Sequence, residues 1–98
     1  MMQDTWNING KDYKANKEQL ELIRLSQEKC DRNMDIIVSK RVPKPRTLDA
    51  GQEDTFPARY WYILEVCQIL GAEVPSFLEG RKKAYLRQFR LDEIPTEF

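Results

Sequence analysis

Phe56–Leu70, FPARYWYILEVCQIL, constrains this chain more than any other stretch. The whole sequence is 33% charged, yet these fifteen residues contain one Arg and one Glu, and eleven are aliphatic, aromatic or Cys even without counting Pro57. A surface helix needs a single apolar stripe, about 100° wide. A helix this apolar on more than one side is either the central post of a core or half of an interface. At 100° per residue, Phe56, Tyr60, Ile63, Cys67 and Leu70 form one stripe with Val66 at its edge. Trp61, Tyr62 and Ile69 are left over, grouped around Glu65. Asp54 or Thr55 is the expected N-cap, Pro57 suits the first turn and Gly71 suits the C-terminal stop.

The segments on either side predict a mainly α (α+β) fold: a single small domain of three helices with a short N-terminal β-hairpin packed on it. Asn9-Gly10 is a strong two-residue hairpin signal. It sets Trp6 opposite Tyr13 within a hairpin over 4–14; an irregular arm with a turn at Asn9-Gly10 is the alternative. Asn16 with Gln19 three residues on reads as a capping box. The helix it starts runs over 17–38, with Leu20, Ile23, Cys30, Met34 and Ile37 as its stripe and Gln27 interrupting it. Arg24, Glu28 and Arg32 are spaced for ion pairs on the other side. Leu22, Leu25 and Ile36 fall outside the stripe and suggest a second contact face. A connection over 39–55 follows, extended at Val42-Pro43-Lys44-Pro45 and pinned by Val42 and Leu48 if it crosses the surface. Pro75-Ser76 opens a third helix over 76–91, facing inward with Leu78, Tyr85 and Phe89. Gly80 weakens it. Residues 92–98 are expected to fray, with Phe98 the one candidate for docking.

Catalytic chemistry is poorly served. The chain has no histidine, which removes the commonest general base and the commonest metal ligand. Cys30 and Cys67 sit on apolar stripes, where small buried hydrophobes belong, and two cysteines alone do not make a structural zinc site. Asp31/Asp35 and Asp92/Glu93 read as surface carboxylates. The four glycines are too dispersed for a phosphate loop. The expectation is a protein that is not an enzyme and holds no cofactor or metal. Nothing near Asp4 reads as a secretory signal and no run of about 18 apolar residues is present, so no membrane role and a cytoplasmic location are expected.

Two surfaces remain for function. Trp61, Tyr62, Ile69 and Glu65 suit a protein partner or a second copy of the chain, since Trp and Tyr dominate binding hot spots. Lys83, Arg87 and Arg90 share the outer side of the third helix, helped by Arg81 and Lys82, and suit nucleic acid or another anion. Against that second use, 16 basic residues balance 16 acidic ones. The expected function is therefore a non-enzymatic protein-interaction module, a small adaptor, inhibitor or complex subunit, that self-associates in its simplest version. A nucleic-acid or anionic-ligand module is the alternative.

Overall fold

A computed structural model of the chain describes residues 4–40 and 54–98. The expected connection, with Val42 and Leu48, lies outside the described residues except at its two ends. Among the described residues there are five elements: β1 (Thr5–Ile8), β2 (Lys11–Lys14), α1 (Lys17–Ser39), α2 (Phe56–Leu70) and α3 (Ser76–Phe89).

β1 and β2 pair antiparallel with Trp6 opposite Tyr13, the expected register. Asn9 and Gly10 both have positive φ, 57° and 81°. A two-residue turn with that pair of values matches the right-handed twist of its strands. The turn is also tethered, because Asn9 Nδ2 donates to the carbonyl of Glu73 at 3.0 Å.

The capping box at the start of α1 is complete. Asn16 Oδ1 accepts from the Gln19 amide at 2.8 Å, and Gln19 Oε1 accepts from the Asn16 amide at 2.9 Å. The same Gln19 side chain donates from Nε2 to the carbonyl of Ile69 at 3.1 Å, tying the start of α1 to the end of α2. Ile23, Ser26 and Cys30 are the buried residues of α1. Gln27 is exposed and interrupts nothing, since Ser26 occupies the inward position one residue earlier.

α2 lies between α1 and α3. Its bounds match the expectation, and Gly71 closes it in the left-handed region with Ala72 N–H donating to Cys67 O at 2.8 Å. Thr55 occupies the N-cap position without a side-chain cap hydrogen bond. The apolar surface of α2 serves two clusters. Phe56 and Tyr60, with Ile63, Leu64 and Trp61, pack against Leu78, Tyr85, Leu86 and Phe89 of α3. Val66, with Tyr62, Ile69 and Leu70, packs against Ile23 and Leu20 of α1 and against Trp6, Ile8 and Ala15. The single core stripe expected on α2 is thus divided, with Phe56, Tyr60 and Ile63 in one cluster and Leu70 in the other.

α3 ends at Phe89, two residues short of the expected limit. Arg90 adopts φ 56° and reverses the chain, and Leu91 N–H donates to Leu86 O at 2.9 Å. Within residues 92–98, where fraying is expected, one side chain is docked. Ile94 is only 6% exposed and belongs to the α2–α3 cluster.

Candidate functional site

The structure does not bring the expected anchors together. Trp61 turns toward α3 and the C-terminal tail. Its indole N–H donates to Pro95 O at 2.7 Å, and its ring meets Tyr60 edge-on at 5.1 Å between centroids. Tyr62 faces the α1 and hairpin cluster instead, where burial raises its phenol pKa above the ordinary range. Ile69 packs beside it. Glu65 forms an ion pair with Lys29 of α1. Much of the aromatic surplus of α2 is therefore used inside the chain.

Part of the group does reach a surface. Ile69 and Glu65 line a groove of about 440 Å³ between α1 and α2, together with Leu22, Leu25, Ser26, Glu28, Lys29, Arg32 and Gln68. Leu22 and Leu25 are 50% and 48% exposed, one helical turn apart on α1. Their position is a consequence of the α1 stripe. With Ile23 and Cys30 turned toward α2, Leu22 and Leu25 fall on the flank of the helix. The rim carries both signs of charge. Arg24 is bonded to Glu21 and to Glu28, the latter at 2.7 Å, while among the described residues Arg32 has no carboxylate within ion-pair distance.

A second surface is the outer side of α3. Lys83, Arg87 and Arg90 are exposed there and, among the described residues, form no ion pair. Two members of the expected basic group are placed differently: Lys82 is half-buried over the Tyr60 ring at 6.0 Å, and Arg81 is exposed beside Phe77 and Arg59. Tyr85 and Phe89, which would have to be free to stack on bases, face inward as core. Phe77, at the start of α3, is 57% exposed. Sequence reasoning missed it as a surface residue. The signal was available, since the stripe Leu78, Tyr85 and Phe89 sets the inward face of α3 and Phe77 lies about 100° from Leu78, on the side away from Leu86.

The titratable groups give no catalytic arrangement among the described residues. Both thiols are buried, and desolvation pushes each thiol pKa up, with Asp31 adding to the effect at Cys30. The Cys30 S–H donates to Met34 Sδ at 3.9 Å. A nucleophilic cysteine needs the opposite, an exposed and electropositive setting. Asp92 and Glu93 border a cleft of about 330 Å³ under the tail with Tyr60, Trp61 and Lys82, and both carboxylates are exposed. No group of three or more metal-ligating side chains occurs among the described residues. No helix among them is long and apolar enough to cross a membrane. In comparisons with protein-family models, curated proteins and solved structures, nothing matches this chain.

Proposed function

We propose that this protein is a non-enzymatic protein-interaction module, an adaptor, inhibitor or complex subunit, that docks through the groove between α1 and α2. One observation carries the reading. Leu22 and Leu25 stand half-exposed over Ile69, although the fold buries leucines of the same size, such as Leu78 at 1% exposure. Apolar side chains gathered in a concave surface with a charged rim suit a partner surface. In this reading the contact is made by Leu22 and Leu25 with Ile69 and Glu65 of the expected anchors, and Trp61 and Tyr62 serve the interior. In the simplest version the occupant is a second copy of the chain, since one symmetric contact covers the groove on both. Nucleic-acid or anionic-ligand binding through Lys83, Arg87 and Arg90 is the other reading, and the zero net charge weighs against it.

Light scattering across a dilution series, on the chain and on Leu25→Asp, tests the proposal. The expected result is a mass that rises with concentration for the natural sequence and stays at one chain for the variant, with unchanged thermal melting. A chain that is monomeric throughout removes the self-association version. A Leu25→Asp chain that no longer folds removes the groove itself, because the leucine is then structural.

A further inference from the structure

α3 has two residues that work against the stability of the helix, one in its interior and one at its C-terminal stop. Gly80 sits in the helix interior, where glycine is less favourable than alanine. Nothing lies within 4 Å of the place its Cβ would occupy, and its φ is not positive, so neither internal packing nor backbone geometry requires a glycine there. Arg90 stops the helix at φ 56°, a conformation in which glycine is preferred. Local choices that oppose the fold are expected where function uses them.

Their surroundings are consistent with such a use. Gly80 and Ala84, one turn apart and both exposed, leave a strip of small side chains along the helix. Lys83, Arg87 and Arg90 form one edge of it, without ion-pair partners among the described residues. Phe77, the most exposed large apolar side chain among the described residues, stands at one end, and Leu91, 39% exposed, at the other.

We propose that the outer face of α3 docks an acidic amphipathic helix of a partner protein. The partner's backbone approaches over Gly80 and Ala84, its carboxylates face Lys83, Arg87 and Arg90, and its apolar residues cover Phe77 and Leu91. The dimensions agree. Position 83 to position 90 spans on the order of 10 Å along a helix, which three carboxylates spaced three to four residues apart on a facing helix also span. A long polyanion fits less well. Glu79 in the first turn and Asp92 and Glu93 past the last turn bracket the cations, so a nucleic-acid strand continuing in either direction meets like charge. A short segment whose carboxylates are confined to the stretch facing positions 83–90 does not. This surface is separate from the α1–α2 groove, and failure of one leaves the other standing.

The test is fluorescence anisotropy of the full chain with a labelled helical peptide. The peptide carries three glutamates one turn apart, alanines beside them and a leucine near each end. A lysine-for-glutamate version and a single-stranded oligonucleotide of similar length are the other probes. The acidic peptide is expected to bind, and Arg87→Glu to weaken it roughly tenfold or more while creating affinity for the lysine peptide. Gly80→Leu is expected to weaken binding by a similar factor without lowering the melting temperature, and Leu25→Asp to leave it unchanged. The proposal is overturned if the acidic peptide does not bind, or if Arg87→Glu or Gly80→Leu binds it as the natural chain does. An oligonucleotide that binds more tightly than the peptide, with affinity falling steeply in salt, also overturns it in favour of nucleic acid.

Discussion

Trp61 shows how a single hydrogen bond reassigns a residue. Its size and its place outside the main stripe of α2 suggest a partner anchor, yet its indole N–H is held by Pro95 O at 2.7 Å, 34 residues away. The bond clasps the C-terminal tail over the α2–α3 cluster and holds Ile94 in place. Trp61→Phe keeps an aromatic ring there and removes the donor. The expected cost is about 1 kcal/mol, read as a fall of roughly 4–8 °C in Tm for a chain of this size. An unchanged melting temperature would show that the clasp contributes nothing. By contrast, the capping pair Asn16 and Gln19 was legible from residue types alone, because both partners lie within one turn. Ser26 was not, since its burial depends on how closely α1 approaches α2.

At the scale of elements, boundaries followed local chemistry closely. The Asn9-Gly10 turn, the capping box at Asn16, Pro57 in the first turn of α2 and Gly71 after it all mark limits that the structure reproduces. The C-terminal ends of α1 and α3 are the exceptions, as each closes on a non-glycine residue, Lys40 and Arg90, that carries no stop signal. Two glycines give opposite predictions. Gly80→Ala replaces a poor helix former where the space is open, and is expected to stabilise the chain by about 1 kcal/mol. Gly10→Ala places a Cβ on a residue at φ 81° and is expected to destabilise it by about 1 kcal/mol. Urea denaturation measures both as shifts of the midpoint with an unchanged slope. The same direction of shift for the two substitutions would contradict the account of either turn or helix.

For the whole molecule, α2 is the common wall of two clusters, and burial there sets the response to pH. Desolvation raises the pKa of Cys30, Cys67, Tyr62 and Tyr85 in the folded chain. Each group is neutral when protonated. As pH rises, the unfolded chain loses these protons first, so the folded state is favoured below the ordinary pKa values and loses that advantage above them. Stability is expected to be level through neutral pH and to decline from about pH 8.5, where free thiols ionise, through about pH 10, where free tyrosines do. Urea midpoints recorded from neutral to strongly alkaline pH check this, and a midpoint that stays level beyond the tyrosine range refutes it.

The sequence by itself determined the three helices, the hairpin and its register, the excess of apolar surface on α2, and the basic run on α3. Each of these depends on residues within a turn or two of one another, where spacing and backbone preference decide. Only the tertiary structure decided how α2 shares its surface. It sends Trp61 to α3 and the tail, Tyr62 and Ile69 to α1 and the hairpin, and leaves Leu22, Leu25 and Phe77 outside. The reason is that burial depends on which distant segments arrive to cover a face, and helical periodicity specifies the face without specifying its neighbour.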